Sequence, residues 1–96
     1  MTGLDDLKQL RAFVQVADSG SLSAAARVLG IAQPTLSRQL QALETSVGLP
    51  LARRDTHNMS LTEAGRLLLA DARKMLTLAE RAGQKLIAER DTLHGH

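Results

Sequence analysis

Three features of this 96-residue chain predict a mainly α-helical domain. Apolar residues recur every three or four positions over most of its length, the period of helices that bury one face. Gly20, Gly30 and Gly48 interrupt that pattern and divide it into short helical units. One segment departs from it: residues 49–61, LPLARRDTHNMSL, are polar in the middle, flanked by leucine, and read as two short strands.

Leu4, Leu7, Leu10, Val14 and Ala17, with Phe13 beside them, define a first amphipathic helix over roughly Leu4 to Asp18. Asp5 and Asp6 fall in its first turn, where the helix dipole favours negative charge. Ser19-Gly20 ends it. Ser21 or Ser23 can cap a second helix, in which Leu22, Ala25, Ala26 and Leu29 face inward. Gly30 suits the left-handed position just after that helix, and Ile31 returns to the core. A third helix opens near Gln33-Pro34, where a proline loses nothing because its missing N–H would be unpaired. Leu36, Leu40, Leu43 and Val47 form its buried stripe, and Gly48 closes it.

The hairpin, or wing, is expected near 51–54 and 58–61, around the turn-like Asp55-Thr56-His57-Asn58. Thr62 then caps a long helix running to about Arg90, with Glu63 in its first turn. Along it Leu68, Ala72, Met75, Ala79, Ala82 and Leu86 alternate by four and three, a heptad-like seam. The start of that seam can pack on the first helix. The remainder outruns what so small a domain can cover and is expected to pair with a second copy of the chain. Alanine allows close approach but buries little area, so the pairing is weak per residue. The tail from Asp91 to His96 is expected to fray.

Composition narrows the function. There is no cysteine, which excludes disulfides, thiolate metal sites and a cysteine nucleophile. No apolar run approaches membrane-spanning length, and the polar, acidic start MTGLDDLKQL is not a secretory signal, so a cytoplasmic protein without a membrane partner is expected. Net charge is only +2, yet residues 19–54 hold Arg27, Arg38, Arg53 and Arg54 against the single Glu44. That local excess suits a polyanion. Phe13 is the only aromatic residue, so the chain lacks the stacking platforms of single-strand and RNA binders. Duplex DNA is the better nucleic-acid candidate.

The stretch Ser21–Val47 supplies a contact mode. Two helices joined by a tight Gly-centred turn, the second polar at its start and apolar along one stripe, have the layout of a helix-turn-helix. Gln33 can pair bidentately with adenine and Arg38 with guanine. Thr35 offers a methyl to thymine and a hydroxyl to base or phosphate, and Ser37 can reach either. Taken singly each is an ordinary surface residue, and Arg38 has Glu44 and Glu63 as alternative partners. Together, after the Ala-rich helix and its turn, they point to DNA.

With these residues in view, the chain resembles the N-terminal domain of the LysR-type bacterial transcriptional regulators. The resemblance runs from about Leu7 to Arg90 and rests on LRAFVQVADSGSLSAAARVLGIAQPTLSRQLQALETSVGLPL at 10–51 and SLTEAG at 60–65. It implies a mainly α, winged helix-turn-helix domain over 1–61 and a linker (dimerisation) helix with its tail over 62–96. It also implies binding as a dimer to an interrupted palindrome, with a T at one end and an A at the other. Gln33, Pro34, Thr35, Ser37 and Arg38 fall on the family's base-contacting positions, with Ser21, Ser23, Gln41, Arg53, Arg54 and His57 expected at the DNA backbone or in the wing. Leu68, Ala72, Met75, Ala79, Ala82 and Leu86 would form the dimer seam.

Three departures stand out. His57 occupies the wing-tip position where family members commonly carry Arg. Ala52 replaces a usual Phe, which is expected to loosen the packing of the wing or leave room for another side chain. Ala32 replaces a frequent Ser, so the third helix lacks a side-chain cap, an omission worth about 1 kcal/mol. Family members continue into an effector-binding domain of two α/β lobes. This chain stops at the linker, so no small-molecule effector is expected on it.

Two other function classes compete. A dimerising helical protein-interaction module without DNA binding would use the seam alone. An enzyme would need more than Asp55, His57 and Ser60 on a turn without an oxyanion loop. His94 and His96 on a fraying tail do not make a metal site. No cofactor and no metal are expected.

Overall fold

The computed structural model of the chain describes residues 6–54 and 58–94. Its elements run α1 (Leu7–Ser19), α2 (Leu22–Leu29), α3 (Gln33–Val47), β1 (Ala52–Arg54), β2 (Met59–Leu61) and α4 (Glu63–His94). This is a winged helix-turn-helix: three packed helices, a two-stranded antiparallel hairpin, and a long final helix.

The first helix starts later than the apolar spacing suggests. Asp6, expected inside the first turn, is instead its N-cap, and its carboxylate accepts from the backbone N–H of Lys8 (2.9 Å) and Gln9 (3.2 Å). A carboxylate satisfies two of the orphan donors of a helix start better from the cap than from within the turn. Leu4 and Asp5 lie outside the described residues. Leu10, Phe13 and Val16 are completely buried, whereas Leu7 is exposed.

Ser21, and not Ser23, caps α2 by accepting from Ala24 N–H at 3.1 Å. At its far end Gly30 takes φ +69°, its N–H reaching Arg27 O and the Ile31 N–H reaching Ala26 O at 3.1 Å. A residue with a Cβ pays to adopt that conformation, and the turn sets the angle between α2 and α3. Ala32 precedes α3 with no side-chain cap hydrogen bond.

Two buried clusters hold the domain. Leu10, Phe13, Leu40, Leu43, Leu51 and Ala72 form one, joining α1, α3, the wing's approach and α4. Ala12, Val16, Ala25, Ala26 and Leu36 form the other, at the helix-turn-helix. Met59 of β2 packs against both. Each fully buried Leu or Phe contributes about 1.5–3 kcal/mol by leaving water.

Each strand begins one residue later than expected, pairing Ala52 with Leu61, Arg53 with Ser60 and Arg54 with Met59. Leu51 drops out of the ladder because it is buried in the core, with its own N–H and carbonyl engaged elsewhere. Ala52, half-buried, packs at the edge of the same cluster. Asp55, Thr56 and His57, the expected turn and wing tip, lie outside the described residues.

Thr62 caps α4 as anticipated. Its hydroxyl accepts from Gly65 N–H (3.0 Å) and donates to Pro50 O (2.7 Å), while its own N–H donates to Leu51 O (3.0 Å). At 1.5 Å per residue the 32 residues of α4 run roughly 48 Å, most of the molecule's 56 Å long axis. The helix persists to His94 instead of ending near Arg90. Residues 91–94 are not helix breakers, Thr92 Oγ1 donates to Ala88 O at 2.9 Å, and Arg90 pairs with Asp91. Gly95 and His96 lie outside the described residues.

Candidate nucleic-acid interface

The third helix turns its apolar stripe inward. Leu36, Leu40 and Leu43 are completely buried and Val47 is half-buried against the core. Pro34, Arg38, Gln41 and Thr45, spaced four, three and four apart, lie on the opposite side and are all exposed. Gln33, also exposed, stands at the first position of the helix. The two flanks differ. Gln39 faces α1 and α2 across an open groove shared with Lys8, Arg11, Leu29 and Ile31. Ser37 and Glu44 face β1, as their contacts show.

The candidate base-contacting residues therefore do not occupy one stripe. Pro34 and Arg38 look outward, and Gln33, four residues before Ser37 on the same flank, is exposed at the start of the helix. Thr35 is half-buried on the flank away from the wing, and its hydroxyl accepts from Arg38 Nη2 at 3.3 Å. Ser37 is half-buried on the wing side, where Arg54 Nη1 donates to its Oγ at 2.8 Å. Among the flanking candidates, Ser21 spends its oxygen on the α2 cap, while Ser23, Gln41, Arg53 and Arg54 are exposed.

Sequence reasoning offered Glu44 and Glu63 as possible partners of Arg38. Neither takes that role. The Glu44 carboxylate accepts from the backbone N–H groups of Leu51 (2.7 Å) and Ala52 (3.2 Å), and Glu63 lies 3.7 Å from Arg66. Glu44 thus ties the start of the wing to α3, a role that no local pattern reveals because its partners lie seven and eight residues away. Gly65 was also missed. A Cβ there would sit 2.0 Å from Leu51 O, so α4 and the wing's entry approach too closely for any side chain.

The long helix behaves as two halves. Ala72 is completely buried, and Leu68, Leu69, Met75 and Leu76 pack around it against the core that α1 shares. Beside this contact Arg73 and Asp18 form a two-pronged ion pair, with Nη1 donating to Oδ2 at 3.2 Å and Nη2 to Oδ1. The Arg73 guanidinium, chiefly through these hydrogen bonds, holds the Asp18 carboxyl below its ordinary range against a smaller opposing effect of desolvation. Beyond Ala79, which is half-buried, the helix leaves the domain. Ala82 is exposed, as are Leu86 (71%) and Leu93 (68%). Leu78, absent from the sequence-derived seam, is 66% exposed just before that point.

Among the described residues, no helix is long and apolar enough to cross a membrane, and no group of three or more His, Cys, Asp or Glu is placed to hold a metal ion.

The family model for bacterial regulatory helix-turn-helix proteins of the lysR family matches residues 7–66, from the first residue of α1 into α4. The chain belongs to the LysR family. Among curated relatives, the HTH-type transcriptional regulator TcbR of Pseudomonas sp. (strain P51) is 42% identical over 80 residues, covering 83% of this chain and 27% of TcbR. The probable cat1 operon transcriptional activator of Acinetobacter lwoffii is 49% identical over 75 residues, 78% of this chain and 25% of that protein. This LysR-family chain thus spans about a quarter of the length of these relatives. Among solved structures, the complex of the CbnR DNA-binding domain with DNA superimposes with a TM-score of 0.83 at 42% identity, covering 88% of this chain and 97% of that one. The complex of the BenM DNA-binding domain with catB site 1 DNA gives 0.79 at 38% identity, covering 86% and 96%.

Proposed function

We propose that this LysR-family domain binds duplex DNA in a sequence-specific manner, as a two-fold dimer on an interrupted palindrome. The observation that carries the reading is the exposed, polar, Arg-bearing face of α3 at Gln33, Pro34, Arg38 and Gln41, presented by a fold closely similar to two domains solved with DNA. The N-terminal half of α3 enters the major groove. Gln33 and Arg38 read base edges there, with Pro34, Thr35 and Ser37 completing the contact. The wing, with Arg53, Arg54 and His57, approaches the neighbouring minor groove, and Ser21, Ser23 and Gln41 lie along the backbone.

Residues 1–61 form the DNA-binding unit and 62–96 the linker and dimerisation helix. The buried Ala72, with the half-buried Leu68 and Met75 packed beside it, anchors that helix to its own domain. The exposed end, from Ala79 through Ala82 and Leu86, meets the partner's copy. The site of action is the bacterial cytoplasm, where the DNA is.

The test is a salt series of binding to duplex and single-stranded DNA, with the mass of the complex measured in parallel. Steeply salt-dependent binding of two chains per duplex, with weak single-strand binding, is the expected result, because phosphate contacts release counterions. A salt-insensitive dimer that ignores duplex DNA would instead support a protein-interaction module.

A further inference from the structure

Ser37 and Arg54 lie 17 residues apart in sequence, one on the flank of α3 and the other at the end of β1. Their hydrogen bond, Arg54 Nη1 to Ser37 Oγ at 2.8 Å, joins the helix to the wing across the junction between them. The position matters because the major groove and the adjacent minor groove are separated by one sugar–phosphate strand. A protein with a helix in one groove and a wing in the other straddles that strand, and its helix–wing junction faces the phosphates.

We propose that Ser37 and Arg54 act together as a single phosphate seat on the strand between the two grooves. The inference rests on the DNA-binding reading above and adds to it a coupled pair with a defined ligand, a non-bridging phosphodiester oxygen pair. The chemistry of both groups fits. With its oxygen accepting from the guanidinium, the Ser37 hydroxyl keeps its own hydrogen to donate, and a phosphate oxygen is a suitable acceptor. A guanidinium has five N–H donors in a planar fork, so Arg54 can hold Ser37 with one and reach a phosphate with others. Ser37 Oγ is thereby committed as the acceptor, and among the described residues Glu44, the acid on that flank of α3, is spent on the backbone of Leu51 and Ala52.

The consequence is that Ser37 completes the α3 contact at the phosphate strand, where it reports position, while Arg38 on the outward face reads base identity. Arg54 is the positioning and charge-bearing member, and Ser37 depends on it.

The experiment uses the whole chain and a duplex that it has enriched from a random pool. Wild type, Arg54→Gln, Arg54→Lys, Ser37→Ala and the double variant Ser37→Ala/Arg54→Gln are titrated over a salt series, after thermal melting shows each to be folded. Arg54→Gln is expected to weaken binding about ten- to a hundred-fold, equally on enriched and random duplex, and to make the salt slope shallower by about one. Arg54→Lys keeps the slope while losing part of the affinity, because an ammonium lacks the fork. The double variant loses no more than about twofold beyond Arg54→Gln alone, the signature of a shared unit. A neutral methylphosphonate at one linkage per half-site, on the strand between the grooves, abolishes the difference between wild type and Arg54→Gln. Losses that multiply, an unchanged salt slope in folded Arg54→Gln, or no single linkage with that effect overturns the seat while leaving DNA binding intact. Wild type that binds no duplex overturns the DNA reading and the seat together.

Discussion

Gly65→Ala is expected to disrupt the packing of α4 against the entry to the wing. The added Cβ would lie 2.0 Å from Leu51 O and 3.0 Å from its carbonyl carbon, both main-chain atoms, so the backbone must retreat by more than about 1 Å to reach ordinary contact. Leu51 has no slack to give. It is 2% exposed, its N–H is held by Glu44 at 2.7 Å and its carbonyl by Thr62 N–H at 3.0 Å. Overpacking costs about 1–3 kcal/mol, and breaking a buried hydrogen bond about the same, so a loss of roughly 3–5 kcal/mol is expected. For a domain of this size that corresponds to a fall in Tm of roughly 15–30 °C. Thermal unfolding followed by circular dichroism at fixed protein concentration measures it. Gly83→Ala is the matched control: its Cβ meets nothing within 4 Å, so the substitution gains about 0.5–1 kcal/mol from helix propensity. A Gly65→Ala protein melting within about 5 °C of wild type, or equal losses at both glycines, would refute the packing described for this junction.

Three further outcomes follow from other contacts. Glu44→Ala strands the backbone N–H groups of Leu51 and Ala52 and is expected to cost about 1–3 kcal/mol in denaturant unfolding, whereas Glu44→Gln, which keeps an acceptor, costs less; equal stabilities would contradict the tie between wing and helix. Because Arg73 lowers the Asp18 pKa in the folded state, the pair's contribution is present above about pH 4 and is lost as pH falls through the folded value, so Asp18→Asn should flatten the acid limb of the stability profile. The effect is small because both side chains are half-exposed, and an unchanged limb would show that the pair contributes nothing. Leu86→Glu, on the exposed end of α4, should leave the Tm of the monomer within a few degrees while abolishing dimers in sedimentation; persistent dimers would move the interface elsewhere.

Much of this fold is legible in the sequence because it is local. Leu36, Leu40 and Leu43 declare the buried side of α3 by spacing alone, and Gly30 declares the turn before it by the conformation it permits. The edges are less legible. Asp6 ends the run of apolar periodicity because a capping carboxylate outweighs one more leucine in the first turn, and α4 outlasts Arg90 because polar residues without a breaker continue a helix. Contacts made across the fold leave no local trace. Glu44 looks like a lone acid in a basic window until its carboxylate meets the backbone of Leu51. Gly65 looks like an ordinary helical glycine until Leu51 O approaches it. The Ser37–Arg54 bond depends on the wing folding back over α3. Of the interface, residue types, the outward face and, by their two-residue separation, the opposite flanks of Thr35 and Ser37 are readable; which flank meets the wing is not.

In the proposed complex the outward face of α3 reads bases as part of a two-fold dimer. The most direct test of this reading is selection of random duplex DNA by wild type and by Arg38→Ala, each sequenced at the same moderate salt. Wild type is expected to enrich an interrupted palindrome, and Arg38→Ala the same spacing with preference lost at one base pair in each half-site, at a cost of about 1–3 kcal/mol. An identical motif from both proteins, or no symmetric motif from wild type, would contradict it.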